Sequence, residues 1–157
     1  MPIGDLCNRN VVFAARETSV AAGAKLMRQH HVGDVVVIDR ADEARMPIGI
    51  VTDRDIVLEV VALGVDPESV TLGDLMSWGS LVTVPESETY VATLRLMHAK
   101  GVRRVPVVDA SGILVGIVSI DDLLPRFVAE LSELAELSAR GSQREREKRP
   151  SPVSGSG

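Results

Sequence analysis

A mixed α/β (α+β) fold, made of one unit written twice, is what these 157 residues predict, on three observations. Residues 16–32 align with 86–102 at an offset of 70, which places Leu26-Met27 on Leu96-Met97. The same offset places Val35, Val37 and Asp39 on Val105, Val107 and Asp109. Three extra residues in the 40–48 loop lower the offset to 67, after which Gly49-Ile50-Val51-Thr52 falls on Gly116-Ile117-Val118-Ser119 and Asp55 on Asp122. Gaps confined to loops indicate a duplicated structural unit. Two copies are too few for a solenoid, so the expected architecture is a pseudo-symmetric pair of β-α-β-β-α repeats packed sheet to sheet. Repeat 1 spans 1–64, repeat 2 spans 65–137, and a tail follows over 138–157.

Each element has its own warrant. Val11-Val12-Phe13 is a short apolar run that reads as a strand. Val20, Ala24 and Met27 keep helical spacing, as do Tyr90, Leu94 and Met97. Thr18 or Ser19 caps the first of these helices, and Glu88 or Thr89 the second, the hydroxyls being the favoured caps. Val35–Ile38 and Val105–Val108 are continuous β-branched runs broken only by Pro106, as strands buried on both faces require. Turns at Asp39 and at Asp109 with Ser111-Gly112 lead into returning strands over 48–51 and 114–118. A further helix starts near Asp53-Arg54-Asp55 or Asp121-Asp122, where acidic residues suit the helix dipole. Gly64 ends the first of these helices. The last one is longer, with Leu124, Phe127, Val128, Leu131, Leu134 and Ala135 in helical register to about residue 139. From Gly141 apolar periodicity stops, which predicts a disordered tail.

Composition narrows the function classes. With 45% apolar and 25% charged residues and a net charge of −5, the chain has the profile of a soluble globular protein. It has no apolar run of the ~18–20 residues that span a bilayer, and its start lacks the pattern of a secretory signal. A lone cysteine, Cys7, excludes an intramolecular disulfide and a cysteine zinc cluster, and a cytoplasmic location is expected. The tail from 141 carries +2, leaving −7 on residues 1–140. That balance, with only four aromatics, argues against nucleic-acid binding, despite Arg103-Arg104 and the basic tail.

Chemistry concentrates where the third strand of each copy ends. Each copy delivers a hydroxyl, Thr52 or Ser119, and a carboxylate three residues on, Asp55 or Asp122. Such a carboxylate can accept both vicinal hydroxyls of a ribose, and the hydroxyl can face a phosphate. The neighbouring β-branched residues supply an apolar slot for a flat base. The same spacing is also a helix capping box, so the pattern alone leaves binding and capping both open. No nucleophile–base pair, phosphate loop or metal set accompanies it.

The ordered motifs Gly49-Ile50-Val51-Thr52-Asp53-Arg54-Asp55-Ile56, Arg103-Arg104-Val105-Pro106-Val107-Val108-Asp109 and Leu114-Val115-Gly116-Ile117-Val118-Ser119 resemble a tandem pair of cystathionine-β-synthase (CBS) domains, the Bateman module, over roughly residues 1–135. The resemblance implies a regulatory module, not an enzyme, binding AMP, ADP, ATP or S-adenosylmethionine in clefts between the repeats, with no required cofactor. It also implies a homodimer. Signalling then acts in trans on an unidentified regulated protein, the alternative being a scaffold with vestigial clefts. Carried over, Asp55 and Asp122 hold ribose hydroxyls, Thr52 and Ser119 sit at the ribose–phosphate junction, and Arg103 meets phosphate. Repeat 1 departs from the pattern, with Gly33-Asp34 standing where repeat 2 has Arg103-Arg104; the Asp34 carboxylate repels an anion unless Arg54 or another cation offsets it. The two clefts are therefore expected to be unequal, the Ser119/Asp122 cleft being the better phosphate site.

Smaller features take plainer expectations. His30 and His31 end the first helix, a phosphate contact being the alternative; His98 is similar and is not a metal ligand, and Cys7 is small apolar filler rather than a redox sensor. Trp78 covers a cleft or packs ordinarily, and the 42–45 insertion is a solvated loop.

Overall fold

The computed structural model describes residues 1–40, 44–76 and 81–149. Trp78 and the Asp42-Glu43 part of the loop insertion lie outside the described residues. Two compact units emerge, residues 1–120 and 121–157.

The first unit holds both three-stranded sheets. In repeat 1, β1 (Phe13–Ala15) leads to α1 (Val20–His30), β2 (Asp34–Ile38), β3 (Pro47–Thr52) and α2 (Asp53–Ile56), which continues as a π-helical turn over Val57–Val61. After the short α3 (Leu72–Leu75), repeat 2 follows as β4 (Val84–Pro85), α4 (Tyr90–Lys100), β5 (Arg104–Val108) and β6 (Leu114–Ser119). In each sheet the middle strand pairs parallel with the first and antiparallel with the third. Corresponding registers recur, Asp34 opposite Thr52 and Arg104 opposite Ser119, and both hairpins carry an irregularity at the equivalent step, 37/38 and 107/108.

Caps form at the expected ends. The Ser19 and Thr89 hydroxyls accept from Ala22 and Ala92 amides at 3.1 and 3.2 Å. Asp109 Oδ1 accepts from the Ser111 and Ile113 amides, closing the second hairpin turn with Gly112 at φ 80°. Gly101, at φ 64°, ends α4 in the left-handed region that glycine tolerates, whereas the same position ending α1 is His31 at φ 55°. Pro106 explains why β4 is shorter than β1. At the equivalent position Val36 N–H donates to the Val12 carbonyl at 2.9 Å, and proline has no hydrogen to give.

The lead-in segments cross between repeats. Ile3 and Gly4 donate to the carbonyls of Glu88 and Glu86 at 2.6 and 2.9 Å, and Asn8 exchanges both backbone bonds with Ile117. Symmetrically, Leu72 and Gly73 donate to the carbonyls of Thr18 and Arg16 at 2.8 and 2.9 Å. Ile3 and Leu72, equivalent in the duplication, are both fully buried. Thus the residues that precede each repeat pack on the other member or, for 72–76, back on the one just completed. Leu72 belongs to one buried cluster with Val20, Met27, Val35, Val37, Val51, Val60 and Met76.

The second unit is the bulk of α5 (Ile120–Lys148), a 29-residue helix with Pro125 inside it. It runs through 138–148, where the sequence predicts a disordered tail. Glu, Arg, Lys and Gln are good helix formers without any apolar stripe, and the pairs Arg126–Glu130 (3.2 Å) and Gln143–Glu147 (3.1 Å) add i,i+4 support. Leu124, Val128, Leu131, Leu134 and Leu137 are half or more exposed along it. Among the described residues no helix is long and apolar enough to cross a membrane.

Candidate functional site

The site is built on β3 and the strand entering β5. Period-2 alternation buries Gly49 and Val51 and turns Ile50 and Thr52 to the opposite face. There Ile50, Thr52, Asp53 and Arg54 of repeat 1 meet Val102, Arg103 and Arg104 of repeat 2 around a cavity of about 450 Å3. Small-molecule sites typically occupy ~300–1,000 Å3. A smaller recess of about 150 Å3 adjoins it, lined by Gly49, Ile50, Asp55, Leu75, Leu81, Val82, Val102 and Arg104. Ile50, Val102 and Arg104 belong to both. The combined space has an apolar wall, a hydroxyl, two carboxylates (Asp53 and Asp55) and three guanidinium groups.

Thr52 and Asp55 also form the capping box. Asp55 N–H donates to Thr52 Oγ1 at 3.1 Å, and Thr52 N–H donates to Asp55 Oδ2 at 2.8 Å. A second box, Thr71 with Asp74, has nearly the same geometry at 3.2 and 2.9 Å. Only the first faces the recess. Capping and binding are compatible at Asp55, because a carboxylate accepts several hydrogen bonds and the box occupies one oxygen.

Arg103 stands where the two repeats meet. The sequence sets it beside Ser119 and Asp122; the Ile120 N–H donates to its carbonyl at 2.8 Å, next to the end of β6, and it also lines the Thr52 cavity. The reason is the pseudo-two-fold relation of the repeats, which brings the start of one middle strand beside the end of the other repeat's third strand. Its clearest mark is the ion pair between Arg104 and Asp34, two positions related by the offset of 70. Gly33 sits close by, where an added Cβ would lie 3.2 Å from Asp53 Oδ2 and 3.7 Å from an Arg104 nitrogen. Arg54, Arg103 and Arg104 therefore gather at Thr52. Ser119 ends β6 opposite Arg104, and Asp122 lies exposed in the first turn of α5.

Ile50, Asp53, Val102, Leu81 and Val82 were not singled out from the sequence. Counting back by two from Thr52 would have found Ile50. Leu81 and Val82 carry no local signal at all. Cys7 packs as filler, its sulfur lying 2.4 Å from where a Cβ on Gly116 would stand, and burial pushes its thiol pKa up against the lowering effect of Arg9. Met76 fills the equivalent place against Gly49. Among the described residues no group of three or more His, Cys, Asp or Glu is placed to hold a metal ion.

The CBS domain model matches residues 3–62 and again 72–129. The chain belongs to the CBS domain family. An uncharacterized protein of Methanopyrus kandleri is 38% identical over 134 residues, covering 83% of this chain, and this chain spans 66% of that protein's length. The crystal structure of Hypoxic Response Protein I with two coordinated zinc ions superposes with a TM-score of 0.69 at 31% identity, covering 80% of this chain and 98% of that one. A CBS domain protein of Pyrobaculum aerophilum complexed with AMP superposes with a TM-score of 0.70 at 26% identity, covering 78% and 90%. The two three-stranded sheets are those of a CBS pair.

Proposed function

We propose that this CBS pair is a regulatory module, not an enzyme, that binds an adenosine-containing ligand in the cavity at Thr52. The observation that carries the reading is the joining of Thr52, Ile50 and Arg54 from repeat 1 with Val102, Arg103 and Arg104 from repeat 2 around one cavity. The base lies against Ile50 and Val102, Asp55 accepts the ribose hydroxyls, and Arg54 and Arg103 face the phosphate. AMP bound to the Pyrobaculum relative supports this ligand class. Arg54 and Arg103 on the cavity wall favour the phosphates of AMP, ADP or ATP over the sulfonium of S-adenosylmethionine.

Binding alters output only by favouring one arrangement of the pair over another. The output is a homodimer acting in trans on a separate protein, in the cytoplasm. Val57, Leu58 and Val61, 47–67% exposed on one helical segment, support an apolar contact with a second copy. Isothermal titration with AMP, ADP, ATP and S-adenosylmethionine tests the reading. Micromolar binding of a nucleotide is expected, weakened about tenfold or more by Arg103→Ala. Silence with all four would favour the scaffold reading, in which the same apolar surface serves a protein partner.

A further inference from the structure

The Asp34–Arg104 ion pair is the part of the cavity that ligand binding alone does not explain. Arg104 lines both the large cavity and the recess, yet its guanidinium is already held by a carboxylate from the other repeat. Both side chains are mostly covered, at 30% and 19% exposure, so water screens the pair less than it would a surface pair. Asp34 opens β2 and is held opposite Thr52 in the hairpin register, so its backbone is rigid relative to the cavity. Around the cavity and its recess Arg54, Arg103 and Arg104 stand against Asp53 and Asp55. Counting Asp34 behind Arg104 removes one further positive charge from the field an anion meets.

Resting on the reading that this cavity takes adenosine phosphates, we propose that Asp34 is a specificity-determining residue. It acts as an internal carboxylate with which the ligand's phosphates compete for Arg104. The consequence depends on ligand charge. Adenosine neither needs Arg104 nor is repelled by Asp34. Each added phosphate both competes for the guanidinium and meets the field of the carboxylate. Asp34 thus compresses the advantage that three arginines would otherwise give ATP over AMP. Chains with a neutral residue here would discriminate by phosphate number far more steeply.

Titration of adenosine, AMP and ATP, with EDTA present, into the unaltered protein, Asp34→Asn, Arg104→Gln and the double variant tests this. Circular dichroism confirms that each is folded. Asp34→Asn is expected to tighten ATP about five- to tenfold and AMP less, while adenosine stays within about twofold. In the Arg104→Gln background the gain from Asp34→Asn is expected to shrink to about twofold or less. Equal change for adenosine and ATP, or no change with the unaltered protein binding well, overturns the role of Asp34 and leaves the cavity reading standing. Should neither protein bind any of the three, both fall. Should the unaltered protein stay silent while Asp34→Asn binds ATP but not adenosine, the Asp34 role is upheld and the cavity reading of the unaltered protein is overturned.

Discussion

The two repeats share strand order, register and hairpin irregularity, yet they differ at the positions where they meet. Repeat 1 offers Gly33-Asp34 at the start of its middle strand, and repeat 2 offers Arg103-Arg104. In a pair related by a pseudo-two-fold, equivalent residues near the axis face one another. Two arginines there would repel, and two aspartates likewise; the duplicated halves have instead diverged to opposite charges that join them. The same divergence brings Arg103 and Arg104 to the Thr52 cavity. What differs between the copies is thus more informative about function than what recurs.

The comparison can be broken most severely at the crossing lead-ins. Ile3→Ala and Leu72→Ala each remove a fully buried side chain, and each is expected to cost about 2–5 kcal/mol in urea unfolding. Near-equal losses would show that the two crossings matter alike, and a neutral Ile3→Ala would show that the first crossing does not hold repeat 2.

Next are the paired glycines of β3 and β6. An added Cβ at Gly116 meets Cys7 Sγ at 2.4 Å and the Asn8 carbonyl at 3.2 Å, whereas at Gly49 its nearest neighbour is the Met76 sulfur at 2.7 Å. Gly116→Ala is expected to cost about 1–3 kcal/mol and Gly49→Ala less, since methionine repacks more readily than a backbone carbonyl. Adding Cys7→Ala should recover part of the Gly116→Ala loss in thermal melts.

The helix ends give a smaller, opposite-signed pair. His31 occupies a left-handed position that its counterpart fills with Gly101. His31→Gly should stabilise by up to about 1 kcal/mol and Gly101→His should destabilise by a similar amount, both read from denaturation midpoints.

Smallest in stability, and sharpest for function, are the two capping boxes. Asp55→Ala and Asp74→Ala should each cost about 0.5–1 kcal/mol of stability. Only Asp55→Ala should also weaken nucleotide binding in titration, because only Asp55 lines the recess. Equal binding losses in both would return the Thr52–Asp55 pattern to a purely capping role.

Much of this was visible in the linear order. Helical spacing at Val20, Ala24 and Met27, the β-branched runs and the Asp109–Gly112 turn are local signals, and each element formed where they indicate. Thr52 and Asp55 were legible as well, because a hydroxyl and a carboxylate three residues apart are set by one turn of chain. The helix beyond residue 138 was not, since its support comes from good helix formers and the polar i,i+4 pair Gln143–Glu147 rather than from an apolar stripe. That Arg103 also borders the Thr52 cavity was not legible, because sequence alignment relates equivalent positions and is silent on which copy each one faces.

Sequence by itself determined the duplication, the order of elements, the residue types at both strand ends and the family. Tertiary structure alone decided that lead-ins cross, that Asp34 holds Arg104, and that three arginines converge on Thr52. Local patterns are written in φ, ψ and side-chain spacing, which nearest neighbours dictate. Pairings at a separation of 70 residues depend on how two folded halves dock, and no short stretch of chain records that.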